Sequence, residues 1–340
     1  MTFMQDQFGR KIDYMRISVT DRCNLRCRYC MPEGGIDNLP MTDMLTYEEI
    51  TEVCKMAADL GITKIRLTGG EPLVRLELPK LVKMIREIPQ IEKINLTTNG
   101  VLLRRHLDAL VDAGLDGLNI SLDTLDRDAY ARTTGRDELE NVLAGIQQSL
   151  DAGLSVKVNA VLLADSFFAD PAKTDTQVVP FRDPNWYNML SLPKHHPVDL
   201  RFIELMPIGE GQQYEYFSAE VLLNEMKRRF PGVEEDHAIH GNGPAHYYRI
   251  PGFQGSIGVI EALHGKFCDA CNRVRLTATG KVKPCLCYAT TYDIREPLRN
   301  GDLDRVREVM EMAIWKKPKE HCFEELAEIS EEHKMVSIGG

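Results

Sequence analysis

The chain reads as an α/β protein: a partial, incomplete βα barrel of about six units, followed by a C-terminal module of another kind. Three observations carry this. Short apolar, β-rich runs alternate with helical patterns through residues 1–210, and strand–helix alternation produces a parallel sheet. The unusual polar residues fall just after the strands, where barrel enzymes keep their chemistry. Six units fall short of the eight that close a full barrel, so an open arrangement is expected, with a doubly wound sheet as the structural alternative.

The first strand, Tyr14–Thr20, leads directly into a cysteine-rich loop. Tyr47–Leu60 then carries apolar residues at three and four spacing and meets a helix stop at Gly61. Lys64–Gly69 is the second strand and ends in Thr68-Gly69-Gly70-Glu71-Pro72, after which Leu76–Ile88 is helical. Lys93–Thr98 ends in Thr97-Thr98-Asn99-Gly100, and Val101–Ala113 follows it as a helix closed by Gly114. Gly117–Asp123 ends in Ser121-Leu122-Asp123, Glu138–Ala152 is helical before Gly153, and Ser155–Leu163 is the fifth strand. Ala164 to His196 is longer and less regular than a crossover; with Phe167, Phe168, Pro171, Pro180, Pro184, Trp186, His195 and His196 it reads as a surface insertion or a partner-docking loop, with no assigned chemistry. Val198–Met206 is the sixth strand and ends in Glu204-Leu205-Met206-Pro207.

With 340 residues, 43% of them hydrophobic, the chain can bury one large core with an appendage, divided at residues 1–210 and 211–340. A net charge of −10 argues against a nucleic-acid-binding surface, while leaving room for a local basic pocket. Met1–Lys11 has no apolar signal region and no segment approaches the length of a membrane span, so a cytoplasmic protein with reduced thiols is expected.

Reduced thiols give the run Cys23-Asn24-Leu25-Arg26-Cys27-Arg28-Tyr29-Cys30 its meaning. A CxxxCxxC loop supplies three thiolates to a cluster that ordinarily takes four, leaving one iron for a substrate or cofactor. Zinc also accepts clustered thiolates and is the competing reading. A second group, Cys268-Asp269-Ala270-Cys271 with Cys285 and Cys287, either leaves an iron open again or, with Cys287 as fourth ligand, forms a closed electron-transfer centre or a zinc site. Cys54 reads as a helix-core residue and Cys322 as an exposed or tail thiol.

Cations recur at strand positions. Arg273 and Arg275 alternate in an extended segment and so share a side. Arg16, Lys64, Arg66, Lys157 and Arg201 fall on the first, second, fifth and sixth strands, which should surround a central cavity. At an effective dielectric of about 20, each close cation–phosphate contact carries roughly 4 kcal/mol of Coulomb energy before desolvation, so several can orient a triphosphate.

CxxxCxxC after a first strand and Gly-Gly-Glu-Pro after a second resemble the radical S-adenosylmethionine (SAM) superfamily. That resemblance implies a [4Fe-4S] cluster on Cys23, Cys27 and Cys30 whose open iron chelates SAM, and reductive cleavage of SAM to a 5′-deoxyadenosyl radical. Arg16 through Cys23, Lys64 through Pro72, Arg201-Phe202-Ile203-Glu204, Phe267 through Arg275 and the terminal Gly339-Gly340 narrow it, over nearly the whole chain, to the GTP 3′,8-cyclase family of molybdenum cofactor biosynthesis. Carried over by motif, Tyr29, Gly70, Ser121 and Met206 would bind SAM. Arg16, Arg66, Thr97, Lys157, Arg273 and Arg275 would hold GTP, with Lys64 and Arg201 as further phosphate or cavity cations. Cys268, Cys271 and Cys285 would hold a second [4Fe-4S] cluster open to guanine, since Cys287 stands where the family has an aromatic residue. Gly339 and Gly340 would reach the catalytic cavity, and Arg273 or Arg275 would supply the closing proton.

The resemblance further implies hydrogen abstraction from C3′ of GTP, bonding of C3′ to C8, and release of 3′,8-cyclo-7,8-dihydro-GTP. The implied partners are an external electron donor and the next pathway enzyme, cyclic pyranopterin monophosphate synthase; a homodimer is a family-level expectation, and neither nucleic acid nor membrane is expected. Two other functions stay open at this point: a two-cluster radical SAM enzyme acting on a peptide or protein, and a non-catalytic electron-transfer or zinc-binding protein.

Overall fold

The computed structural model describes residues 4–32, 34–163, 184–215, 217–263, 267–325, 328–331 and 334–339. Six strands run parallel in chain order: β1 (Tyr14–Ser18), β2 (Lys64–Thr68), β3 (Lys93–Thr98), β4 (Gly117–Ser121), β5 (Ser155–Leu162) and β6 (Asp199–Glu204). The later chain adds β7 (Glu234–Asp236), β8 (His246–Arg249), β9 (Ile257–Ile260), β10 (Arg273–Leu276), β11 (Lys281–Lys283) and β12 (Tyr292–Asp293). β9 pairs parallel with β6, and β10 parallel with β1, so the parallel region grows beyond the six units at both edges. The sheet stays open, in the order β12-β11-β10-β1-β2-β3-β4-β5-β6-β9-β8-β7, with antiparallel hairpins at its two ends.

Alternation along the strands decides which residues meet helices and which meet the interior. Met15 and Ile17 of β1, Ile65 and Leu67 of β2, Ile94 and Leu96 of β3, and Val158 and Ala160 of β5 are buried in the main apolar cluster. That cluster includes the inner faces of α1 (Tyr47–Asp59), α2 (Leu78–Arg86), α3 (Leu103–Asp112) and α5 (Leu139–Asp151). Their sequence neighbours Arg16, Arg66, Asn95 and Lys157 face the opposite side. A filled barrel carries branched aliphatic residues there, so a polar inner face marks a cavity.

The helices begin and end for local reasons. Thr46 caps α1, its hydroxyl accepting from the Glu49 amide at 3.1 Å while the Glu49 carboxylate accepts from the Thr46 amide at 2.7 Å. Gly61, Gly114 and Gly153, expected to stop helices, adopt φ of +94°, +92° and +75°. α4 (Arg127–Thr134), short and weakly patterned, was not expected from the sequence. Helices at Pro184–Met189 and Ser191–His195 close the stretch expected as a surface insertion, and there Trp186 is buried in the main core. The irregular positions Phe167, Phe168, Pro171 and Pro180 lie outside the described residues. Among the described residues no helix is long and apolar enough to cross a membrane.

Candidate active site

The first cysteine loop is built by backbone stitching. After β1, Thr20 O accepts from the Gly70 amide at 2.8 Å and Arg22 O accepts from the Glu71 amide at 2.7 Å. A Cβ on Gly69 would lie 2.6 Å from Thr20 O, and one on Gly70 would lie 2.3 Å from Arg22 O. Both glycines are therefore required by the approach of two backbones, before any ligand contact is considered. Burial pushes the Cys27 and Cys30 thiols up, Cys30 to about 12, so cluster assembly must displace protons from them. Among the described residues no group of three His, Cys, Asp or Glu side chains is arranged around one single-ion position.

Two carboxylates hold the rim of this loop. Glu71 accepts from the Thr98 hydroxyl at 2.7 Å, the Asn99 amide at 2.6 Å and the Leu73 amide at 3.0 Å, tying the end of β2 to the turn after β3. Burial raises its pKa to about 7 against these hydrogen bonds. Asn99 in turn reaches Asn24 Oδ1 at 2.7 Å and Cys23 Sγ at 3.9 Å. Asp123, after β4, accepts from the Tyr29 hydroxyl at 2.8 Å and the Val161 amide at 2.9 Å, which fixes the Tyr29 ring beside the cysteines.

Inside the sheet lies a cavity of about 930 Å³. Cys23, Cys27 and Cys30 line it, and so do Tyr29, Gly70, Ser121 and Met206. Further along the strands it is lined by Arg16, Lys64, Arg66 and Thr97, then by Lys157 and Arg201, with Arg273 and Arg275 on the β10 side. Register explains the convergence: Arg16 of β1 sits opposite Arg66 of β2 on one flank and Arg275 of β10 on the other. Arg66 bonds the Tyr14 hydroxyl and reaches Thr97 Oγ1 at 3.5 Å. Arg201 Nε donates to Asn159 Oδ1 at 2.9 Å. Lys64 pairs with Asp13 at 3.0 Å, and Lys157 pairs with Asp199.

These two carboxylates do not offset the remaining positive charge. Burial, then the neighbouring Arg275, holds Arg16 well below the usual guanidinium range, and burial with Arg273 brings Arg275 down to about 10. Guanidinium groups stay protonated at neutral pH, so these directions measure crowding of like charge out of water. An anion with several oxygens relieves it.

The second cysteine group stands beside this cationic wall. Phe267, Arg273 and Leu286 line the cavity, flanking Cys268, Cys271 and Cys285 in the chain. Burial raises the Cys271 thiol, but Arg273 and Lys317 outweigh it and bring the pKa down to about 6. The Arg273 guanidinium lies 4.9 Å from the centroid of the Phe267 ring. Cys287 is buried with its sulfur 2.9 Å from that of Cys322, in an apolar cluster with Ile208, Phe323 and Ile338. Cys322 is therefore a buried partner of Cys287, where an exposed or tail thiol was expected. Cys54 is fully buried in α1, as expected of a helix-core residue.

The C-terminal segment joins the two cysteine groups. The Val336 amide bonds to Cys30, and Gly339 O accepts from Arg275 Nη1 at 2.6 Å. Gly339 has φ of +73°, and a Cβ there would lie 3.0 Å from Thr68 Cγ2 and 3.1 Å from Ser18 Cβ. Gly340 lies outside the described residues. A buried Lys283–Glu331 ion pair and a Lys334–Glu210 pair anchor the segment. Sequence reasoning missed the supporting residues Tyr14, Asp13, Asn159 and Asp199. Their signal was present, since each is polar and lies at or beside an alternating strand position of the cations it serves.

The sequence model of the Radical SAM superfamily matches residues 17–174, and that of Molybdenum Cofactor Synthesis C matches residues 198–323. The chain is 40% identical over 338 residues to a GTP 3′,8-cyclase of Clostridium perfringens (strain SM101 / Type A), covering 99% of this chain and 100% of that one. A GTP 3′,8-cyclase of Alkaliphilus oremlandii is 41% identical over 343 residues, at 99% and 100% coverage. Among solved structures, Streptococcus suis SuiB bound to S-adenosylmethionine shares the fold with a TM-score of 0.61 at 14% identity, covering 96% of this chain and 77% of that one.

Proposed function

The chain belongs to the GTP 3′,8-cyclase family within the radical SAM superfamily, and from that membership we propose how its own residues divide the work. It is a GTP cyclase of molybdenum cofactor biosynthesis that uses SAM and two [4Fe-4S] clusters. When bound, the first cluster and SAM supply the 5′-deoxyadenosyl radical that takes the C3′ hydrogen of GTP, and C3′ becomes joined to C8 of the same guanine.

In this reading Cys23, Cys27 and Cys30 hold the first cluster, with Tyr29, Gly70, Ser121 and Met206 around SAM. Their shared position on one cavity, and the Asp123 hydrogen bond that fixes Tyr29, support it. Cys268, Cys271 and Cys285 hold the second cluster, leaving an iron for guanine. The engagement of Cys287 by Cys322 favours this three-ligand set over a closed one. Arg16, Lys64, Arg66, Thr97, Lys157 and Arg201 receive the phosphates. Arg273 and Arg275 bind the guanine side and return a proton to the purine; Gly339, whose carbonyl accepts from Arg275, acts beside them, and a catalytic role for Gly340 is part of the same proposal.

The observation that carries the proposal is the convergence of inward-facing cations from β1, β2, β5, β6 and β10 on a cavity that also holds the CxxxCxxC loop. A groove for a peptide has no need of so many converging charges. We further propose an external one-electron donor, transfer of product to cyclic pyranopterin monophosphate synthase, a homodimer and a cytoplasmic location. The test is anaerobic: reduce the cluster-loaded protein, add SAM with and without GTP, and quantify 5′-deoxyadenosine. GTP-dependent formation that Cys27→Ala abolishes is expected. Cleavage indifferent to GTP points to another substrate, and no cleavage despite bound SAM sinks the assignment.

A further inference from the structure

We propose that β8, with the loop that precedes it, reads the terminal phosphate of the nucleotide, the Tyr247 hydroxyl donating to that phosphate between Lys157 and Arg201. The inference rests on the reading of the cavity as a GTP site and adds a residue that reading does not contain. The Tyr247 oxygen accepts from Lys157 Nζ at 3.4 Å and is hydrogen-bonded to Arg201. Lysine and arginine are donors only, so these contacts occupy the lone pairs of the phenol and leave its proton to be given elsewhere. Among the described residues, no hydrogen bond carries that proton to a protein acceptor. A phosphate oxygen held by Lys157 and Arg201 is the acceptor that completes the set.

The surroundings fix the hydroxyl in place. The Tyr247 ring is stacked on His240, with centroids 3.9 Å apart and planes 12° apart. His240 is held through both nitrogens, Nδ1 to Asp199 Oδ1 at 3.0 Å and Nε2 to Asp236 Oδ2 at 3.1 Å. Asp199 also pairs with Lys157, and the His240 carbonyl accepts from the same ammonium, so one network orients the cation and the phenol together. Gly258 of β9 makes room: a Cβ there would lie 2.8 Å from Arg201 Cγ and 3.0 Å from Tyr247 Cε1. A Cβ on Gly241 would lie 3.8 Å from Lys157 Cε, and one on Gly243 would lie 3.8 Å from Arg201 Nη1, which measures how closely this loop covers both cations.

Position along the sheet selects the terminal phosphate. Arg273 and Arg275 on β10 stand near one end of the strand order, and Lys157, Arg201 and Tyr247 on β5, β6 and β8 stand toward the other. With the base on the β10 side, the phosphate chain runs toward β5 and β6, and only its last group reaches Tyr247. On this proposal a diphosphate lacks the group that meets Tyr247.

Tyr247→Phe removes the hydroxyl alone. With cluster-loaded protein, GTP and GDP binding are measured by anaerobic calorimetry, and KM and kcat from GTP-dependent 5′-deoxyadenosine formation. GTP affinity should weaken about five- to tenfold, while GDP affinity and kcat stay within about twofold of wild type. His240→Ala, which keeps the hydroxyl but frees its ring, should give the same triphosphate-selective loss, and it decides the question if Tyr247→Phe lowers iron content. Equal weakening of GTP and GDP, a loss confined to kcat, or no loss overturns the inference. Wild-type protein that neither binds GTP nor responds to it would overturn the underlying site reading instead, a result visible before any variant is made.

Discussion

Glu71 accepts three donors in a position almost closed to water, and its acid–base behaviour reports that strain between burial and bonding. Unfolded, a glutamate titrates near about 4.3. Folded, this one titrates at about 7, so the native state holds its proton more tightly. The stabilisation is therefore complete below about pH 4 and is lost as pH rises through about 7, on the order of 3 kcal/mol in all. Glu71→Gln, which does not titrate, should lower stability because its amide nitrogen meets donors, and should remove this pH dependence. Urea unfolding of the cluster-free wild-type and variant chains from pH 5 to 8 checks it; curves that stay parallel would refute the assignment. Gly70 tests the same rim sterically. Its missing Cβ would meet backbone atoms of Asp21 and Arg22, which no rotamer change can clear. Gly70→Ala should therefore displace the first cysteine loop and lower bound iron to about half, measured as iron and sulfide per chain.

The C-terminal segment is held as an element by Lys283 of β11, whose ammonium is buried against Glu331 and the Tyr288 carbonyl. Lys283→Met leaves a buried carboxylate without its cation and should cost about 3–5 kcal/mol, whereas the double variant Lys283→Met/Glu331→Leu should recover most of that loss. Denaturant unfolding of both variants separates a structural anchor from a general loss of packing, because only an anchor gives strong coupling between the two sites. This segment also marks the limit of what sequence could say about elements. β1 to β6 were legible because each alternates buried aliphatic residues with inward polar ones, and helices of clear periodicity come between β1 and β5. β9 is apolar throughout and β10 alternates over only four residues, and their role as parallel neighbours of β6 and β1 is a tertiary fact. Arg273 and Arg275 were readable as a pair on one face, but not their alignment across β1 with Arg16 and Arg66. The thiol contact between Cys287 and Cys322 joins positions 35 residues apart and leaves no local signature.

Across the whole molecule, a chain of net charge −10 gathers Arg16, Arg66, Arg201, Arg273 and Arg275 on one cavity, so the local charge around the substrate site differs from that of the chain as a whole. Solubility and nonspecific binding follow the surface, whereas substrate affinity follows the cavity, and salt screens the two unequally because buried pairs are shielded from ions. The sheet also separates the chemistry: the first cysteine loop follows β1, and the second group precedes and follows β10, with the C-terminal segment bonded to Cys30 and Arg275 between them. Each cysteine group is built by its own loop, so loss of one should leave the other's ligand in place. Cys27→Ala should abolish SAM binding while GTP affinity stays within about threefold of wild type. Cys271→Ala should retain SAM binding and lose about tenfold or more in GTP affinity, since charge remains but the second cluster does not. Both variants should keep about half the iron. Equilibrium binding of SAM and of GTP to each anaerobically reconstituted variant reads this directly. Loss of both ligands in either variant would mean that the clusters and the C-terminal segment assemble as one cooperative unit, and the division of labour drawn from the geometry would fall.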